Sequence, residues 1–237
     1  MGDELDLSRV SYVSLLTAPT SNKDNNIEKL LKIGFETSKN IKFHEKIIYT
    51  AQKPDCETYD FKVVEINPMP YGRYTPWIMK NSPNLFESDF VLFFQADGMI
   101  RNPSAWTEDF YSYDYIGAPW SPSINGGNGG FSLRSRLLCE LASKLDLSEH
   151  NFDAGSPTNR ILENHEDVII CRKYENLMKY NGAKFAPADL AVKFSTEHWG
   201  LTMDDFYNSF GFHEIETLVN PEVKLNRVEF VKKILND

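Results

Sequence analysis

The sequence predicts an α/β domain with a mainly parallel, Rossmann-like central sheet flanked by helices, and three observations carry that prediction. Short β-prone runs alternate with segments of helical periodicity from Val10 onward. The most apolar of these runs, Phe90 to Phe94, stops abruptly at Gln95, Ala96 and Asp97. An aromatic and glycine-rich stretch then leads into an amphipathic helix. Alternating strands and helices imply a parallel sheet. Strands of such a sheet are apolar on both faces, and ligands bind outside their carboxyl ends.

The elements follow in order. Val10 to Thr17 reads as a first strand that runs into a loop at Ala18, Pro19 and Thr20. Asp24 looks like a helix start, with Ile27, Leu30, Leu31 and Phe35 at helical spacing behind it. Lys46 to Thr50 and Phe61 to Ile66 are two further β-rich runs, Pro68 and Pro70 break the pattern, and Tyr74 to Asn81 is a helix candidate. Beyond Asp97, Trp106, Phe110, Tyr111, Tyr113, Tyr115 and Trp120 precede Gly126, Gly127, Gly129 and Gly130. From Leu133 the residues Leu137, Leu138, Leu141, Ala142 and Leu145 form an amphipathic helical pattern. His150 to Thr158 reads as a surface loop, Glu166 to Tyr180 as one helix, and Val228, Val231, Ile234 and Leu235 as a closing helix. No internal repeat interrupts the series, so residues 1–9 are expected to be a tail and residues 10–237 one domain.

Composition narrows the partners. Hydrophobic residues at 41% and aromatics at 13% suffice for a large core. A formal charge of −9 and a pI near 5.1 oppose binding to nucleic acid or anionic lipid. Cys56, Cys139 and Cys171 have no paired spacing and are expected to be reduced, mostly buried thiols. Met1 to Ser8 lacks a basic start and an apolar core, and no apolar run approaches the roughly 20 residues that span a bilayer. A cytoplasmic protein, at most peripheral at a membrane, is expected.

Several clusters carry chemistry, and each has a plain structural reading beside it. Asp97 at a strand end can face a cleft, although Asp97-Gly98 is also a turn signal. Asp-Tyr-Ile-Gly-Ala-Pro-Trp, residues 114–120, and Gly-Asn-Gly-Gly-Phe-Ser-Leu-Arg, residues 127–134, could flank one cleft, with Trp120 as a plate for a sugar ring, or could be turns beside a core tryptophan. Neither a Walker loop nor GxGxxG is present. His165, Glu166 and Asp167 open a helix whose positive end stabilises carboxylates; one could act as a base, or both could be capping acids. Phe210 to His213 ends in a histidine that could join Asp97 on Mn²⁺, or be a hydrogen-bonded structural residue. Glu197, His198 and Trp199 form another polar-aromatic cluster with the same two readings.

Taken in order, these pieces resemble the GT-A class of nucleotide-sugar-dependent glycosyltransferases. Gln95-Ala96-Asp97 looks like Asp-x-Asp at a strand end, and Gly129-Gly130-Phe131-Ser132 looks like the Gly-Gly strand of fringe-like and galactosyltransferase-like enzymes. Glu166-Asp167 looks like the x-Glu-Asp that opens the next helix in inverting members, and His213 like the late metal histidine. More closely, Asp-Tyr-Ile-Gly-Ala-Pro-Trp (114–120), Gly-Asn-Gly-Gly-Phe-Ser-Leu-Arg (127–134), Glu-Asp-Val (166–168) and Gly-Phe-His (211–213) resemble an uncharacterised family of bacterial and viral glycosyltransferase-like proteins.

The resemblance implies a GT-A-like domain with a nucleotide-binding half, about residues 10–100, and an acceptor half, about 101–237, with a small antiparallel sheet on the acceptor side. It implies Asp97 and His213 as ligands of Mn²⁺ or Mg²⁺, Asp167 with Glu166 as the catalytic acids of an inverting transfer, and Thr17, Ala18, Pro19, Gln95 and Asp97 on the donor nucleotide. Trp120, Asn128, Gly129 and Gly130 would shape the sugar and acceptor sites. The implied partners are a nucleoside-diphosphate sugar, a UDP-sugar foremost, and a glycan or other hydroxyl acceptor. One departure stands out: Gln95 replaces the first acid of the motif and brings no charge. Two other classes also fit parts of the pattern. One is a noncatalytic sugar or sugar-nucleotide binding domain. The other is a sugar nucleotidyltransferase, against which stands the lack of a glycine-rich, basic phosphate loop after the first strand.

Overall fold

A computed structural model describes residues 4–17, 27–121, 126–150, 152, 164–197, 202–214 and 221–236. Strand β1 spans Leu5–Leu16, helix α1 Ile27–Ser38, β2 Ile41–Thr50, β3 Lys62–Glu65, α2 Tyr71–Asn81 and β4 Phe90–Phe94. Then come β5 (Met99–Ile100), β6 (Tyr115–Gly117), β7 (Ser132–Ser135) and α3 (Arg136–Ser143). The chain continues through α4 (Glu166–Val168), α5 (Glu175–Tyr180), α6 (Ala188–Phe194), β8 (Ser195–Thr196), α7 (Met203–Asn208), β9 (Gly211–Phe212) and α8 (Pro221–Asn236). Asp24, Ala18, Pro19, His198, Trp199 and most of the loop after His150 lie outside the described residues.

The main sheet has six strands in the order β3-β2-β1-β4-β7-β6. The first four run parallel, whereas β7 is antiparallel to both β4 and β6. Strand order reverses between β1 and β4, which is where an open α/β sheet leaves a crevice at its carboxyl edge. Leu16 and Phe94, followed by Thr17 and Gln95, end at that edge, and the Ser14 hydroxyl donates to the Phe94 carbonyl at 2.6 Å to tie the two strands there.

Alternation along β4 explains why five successive apolar residues are needed. Phe90, Leu92 and Phe94 enter one core layer with Tyr12, Leu31 and Phe61, while Val91 and Phe93 enter the other with Val13, Ile78 and Leu138. A strand buried on both faces has no polar side to mark it. Aromatic stacking fixes the first layer, with the Tyr12 ring centroid 4.0 Å from Phe94 and 4.9 Å from Phe43.

The structure moves several expected boundaries. β1 starts at Leu5 rather than Val10, because Leu5 and Leu7 pair with Ile41 and Phe43 while Asp6 faces out to Lys42. Residues 1–9 are therefore not all tail. The expected helix from Glu166 to Tyr180 is divided: α4 passes into a π-helical segment, Ile169–Lys173, before α5. Ile169, Ile170 and Cys171 in this segment are buried in succession. In α3, Leu138, Cys139 and Ala142 are buried but Leu137 is exposed. Cys56 is exposed too, whereas Cys139 and Cys171 are buried and all three are free.

The second sheet has three strands, β5-β9-β8, and is mixed rather than antiparallel: β5 is antiparallel to β9, and β8 is parallel to it. Met99 lies opposite Phe212, so the residues just outside that pair, Gly98 and His213, meet at one end of it. Helix α8 packs on this sheet through Val223 and Val231, beside Phe206 and Phe212. Among the described residues no helix is long and apolar enough to cross a membrane.

Candidate functional site

The carboxyl end of β4 turns sharply. The Gly98 N–H donates to the Gln95 carbonyl at 3.0 Å, so Asp97 does occupy the turn that its sequence neighbour Gly98 suggests. That turn leaves its side chain half exposed, at 50%, and Oδ1 stands 3.6 Å from His213 Nε2. Gln95 Oε1 lies 3.3 Å from the same nitrogen. The Glu214 N–H then donates to the Asp97 carbonyl at 2.9 Å, so backbone and side chains both tie the β4 end to the β9 end.

His213 is buried, with Nδ1 3.2 Å from Glu197 Oε1. Burial opposes its charge, but the carboxylates of Asp97 and Glu197 outweigh burial and push its pKa up to about 9. Glu214, next in sequence, is held in the left-handed region at φ 60°. That conformation costs a non-glycine residue on the order of 1 kcal/mol, so its surroundings must impose it. Glu197, His213 and Glu214 can each bring one donor atom to within 4.8 Å of the others. Burial, then the hydrogen bond and charge of Glu197, raise the Glu214 pKa.

The glycine loop sits beside this cluster. A Cβ on Gly130 would overlap the His213 imidazole, and one on Gly129 would overlap the Glu166 carboxylate. Close approach, rather than a special φ, is what these two positions require. Asn128 spans the two groups: its amide donates to Glu197 Oε1 at 2.9 Å, and its oxygen accepts from the Gly130 N–H at 2.7 Å. Both ends of the Asn128 side chain are thus engaged within the protein.

On the far side of Gly129 lie the acids of α4. Asp167 Oδ2 accepts from the Gly129 N–H at 2.8 Å and Oδ1 from the Val168 N–H at 2.7 Å. Arg134 Nη2 donates to Glu166 Oε1 at 3.0 Å, and the Arg134 guanidinium is sandwiched by the rings of Phe93 and Tyr115. Removing one partner of a buried pair like this costs about 3–5 kcal/mol, so the pair fixes the start of α4 against β7. Burial, with the Glu166 charge next, pushes the Asp167 pKa up to about 7 despite its N–H partners and Arg134. The expected stabilisation of this carboxylate by the helix start is therefore overridden by desolvation.

The structure brings Gln95, Asp97 and His213 together, and Asn128, Gly129, Gly130, Glu166 and Asp167 beside them. Thr17 closes β1 at the same sheet edge, with its carbonyl accepting from Met69 N–H at 3.0 Å. The Arg172 guanidinium lies over the Trp120 ring, 4.3 Å from its centroid. Sequence reasoning left Glu197 and Glu214 out of the candidate metal site. A usable signal existed for Glu197, an acid that directly follows the buried strand Ser195–Thr196 just as Gln95 and Asp97 follow β4.

The donor set suits a divalent cation. A carboxylate oxygen, an amide oxygen and an imidazole Nε2 converge, and the other ring nitrogen faces a buried carboxylate, the arrangement that orients a ligating histidine. Ligands about 2.1 Å from one ion stand roughly 3 Å or more apart, which the 3.6 and 3.3 Å separations of Asp97 Oδ1 and Gln95 Oε1 from Nε2 meet.

Comparison with known proteins agrees in fold. A family model described as "Protein of unknown function (DUF5672)" matches residues 79–213. No curated protein matches the sequence. The crystal structure of a glycosyltransferase involved in glycosylation of the major capsid of PBCV-1 superposes with a TM-score of 0.54 at 14% identity, covering 94% of this chain and 98% of that one. The galactosyltransferase LgtC, in complex with donor and acceptor sugar analogs, gives a TM-score of 0.46 at 10% identity over 97% of this chain and 96% of its own. The mannosyltransferase PcManGT from Pyrobaculum calidifontis, in complex with GDP-Man and Mn²⁺, gives 0.39 at 13% identity over 57% of this chain and 46% of its own. At these identities the likeness is one of fold, a mixed α/β fold shared with the PBCV-1 glycosyltransferase structure.

Proposed function

The chain belongs to the DUF5672 family, and we propose that it is a glycosyltransferase moving a sugar from a nucleoside-diphosphate donor to a hydroxyl acceptor. One observation carries this reading: Gln95, Asp97 and His213 converge at the carboxyl edge of the sheet, beside the point where strand order reverses. A nucleotide bound in that crevice would present its diphosphate to these residues. Asp97, His213 and Gln95 would hold a divalent cation, Mn²⁺ or Mg²⁺, with Glu197 orienting the imidazole. The cation would neutralise the charge that develops on the leaving diphosphate.

Thr17 at the end of β1 would lie against the nucleotide. Asp167 would accept the proton of the acceptor hydroxyl as its oxygen bonds to the anomeric carbon and the bond from that carbon to the diphosphate breaks. This single displacement inverts the anomeric centre. A base with a pKa near 7 is well matched to that role near neutral pH. The Arg134–Glu166 pair would keep Asp167 in place.

A second reading has an observation of its own. Both Asp167 oxygens already accept backbone N–H groups, as a purely structural acid would, and this favours a noncatalytic sugar-nucleotide binding domain. Release of nucleoside diphosphate from a panel of donor sugars, with and without Mn²⁺ and candidate acceptors, separates the two. Mn²⁺-dependent release by the wild-type protein supports the enzyme, and donor binding with no turnover on any acceptor supports the module.

A further inference from the structure

Among the described residues, the largest fully buried side chain belongs neither to the sheet nor to the glycine loop. It is Arg227, on the middle of α8, with 0% exposure. A guanidinium in such a place is costly unless its donors are used. Burial pulls its pKa down to about 10, which leaves it charged at neutral pH. Its flat faces lie near the rings of Phe206 and Phe212, 5.5 and 5.2 Å from the ring centroids.

The hydrogen bonds of Nη1 and Nη2 all reach one place, while Nε makes none among the described residues. Nη1 donates to the carbonyls of His213, at 3.1 Å, and Glu214, at 2.9 Å. Nη2 donates to Thr196 Oγ1 at 2.9 Å. Thr196 immediately precedes Glu197, and its carbonyl accepts from the His213 N–H at 3.0 Å. The two carbonyls gripped by Nη1 belong to the peptide planes on either side of the Glu214 Cα, the residue held at φ 60°. Fixing both planes fixes that left-handed turn. The negative charges of Glu197 and Glu214 lie close enough to bear on the guanidinium, so Arg227 also offsets two acids beside His213.

We propose that Arg227 is a positioning residue for the candidate metal site: it locks the turn after His213 and the strand end before Glu197, so that His213 Nε2 is presented to Asp97 and Gln95. Helix α8, which supplies no residue to the site itself, then becomes part of its architecture. The inference rests on the metal-dependent reading given above. Geometry explains the choice of arginine, because its planar fork reaches three oxygens, two in the turn after β9 and one on β8, whereas a lysine has one nitrogen to offer.

A merely structural arginine would lower stability when replaced and leave the site's preference for an ion alone. The test is therefore Mn²⁺ binding, followed by calorimetry and by pulsed electron paramagnetic resonance that reads the ¹⁴N coupling of a ligating imidazole. The proteins compared are wild type, Arg227→Lys, Arg227→Met and Val223→Ala. Val223 is fully buried on the same helix and makes none of these hydrogen bonds, so its truncation controls for a loosened helix. Wild type and Val223→Ala are expected to bind Mn²⁺ alike, with imidazole coupling. Arg227→Met should bind roughly 10-fold or more weakly, with the coupling lost, as outer-shell changes at metal sites do. Arg227→Lys should lie between them, and it decides alone if the methionine variant does not fold. Unchanged affinity and coupling in the Arg227 variants, or an equal loss in Val223→Ala, overturns the proposal. Absence of imidazole-coupled Mn²⁺ in the wild type would instead refute the metal-dependent reading on which it rests.

Discussion

Asp97 and Asp167 lie on opposite sides of the Gly129–Gly130 step, and the same side chain has opposite circumstances at the two positions. Asp97 sits in a turn, half exposed, with Oδ1 facing an imidazole. Asp167 is 6% exposed, with each oxygen held by a backbone N–H. The open acid is accessible to solvent. The enclosed acid is braced by the backbone and its pKa is pushed up to about 7 by burial and Glu166, so it could take a proton from a substrate hydroxyl only if that hydroxyl reaches it. Residue type placed both acids in one motif series, but burial and hydrogen-bond partners decide what each is free to do.

Breaking the enclosed side should give the largest effect. Asp167→Asn keeps one acceptor oxygen for the loop, so the fold is expected to persist while turnover falls by about 10²- to 10⁴-fold, as for loss of a general base. Wild-type turnover by the folded variant would refute the base role. A pH series sharpens this. In the wild type kcat/KM should rise with pH and level off above about 7, as Asp167 loses its proton. Stability runs the other way, because the folded protein retains that proton up to about 7 while the unfolded chain releases it near 3.8. The contribution of Asp167 to stability is therefore present at low pH and is lost as pH rises between those values. Asp167→Asn should remove that slope, which chemical denaturation at several pH values would measure.

The next effect tests the glycine step that separates the two acids. Gly130→Ala places a methyl group where the His213 ring lies, and displacing a reacting group by about 1 Å can cost 10²-fold in rate. A turnover assay and a Mn²⁺ titration on the folded variant should both show the loss. Retention of both would mean that His213 need not occupy its present position. The smallest expected effect is on the open side. Glu197→Gln keeps a hydrogen-bonding group opposite His213 Nδ1 but removes its charge, and should weaken Mn²⁺ binding by about 10-fold. An unchanged calorimetric isotherm would remove Glu197 from the site.

The sequence displayed β4 and its polar end clearly, since a strand buried on two faces must be apolar throughout and can end only in a change of character. Gly129, Gly130 and the pair Glu166 and Asp167 were equally visible as residues. What could not be read was that Asp167 grips the Gly129 N–H, a contact between segments 38 residues apart. His213 was visible, but its approach to Asp97 depends on the two-residue strands β5 and β9, too short to produce a periodic signal. The beginning of β1 was hidden by acidic residues that alternate with Leu5 and Leu7, and the π-helical break after Val168 has no propensity signature. Arg227 reads on the sequence as one charged residue in a mixed helix. Only the fold shows that it points inward.

The most direct test of the account is calorimetric titration of a UDP-sugar and other nucleoside-diphosphate sugars into wild type and Asp97→Ala, each with and without Mn²⁺. The account predicts donor binding by the wild type that is strengthened by Mn²⁺ and loses that strengthening in Asp97→Ala. Donor affinity independent of both Mn²⁺ and Asp97 would contradict it.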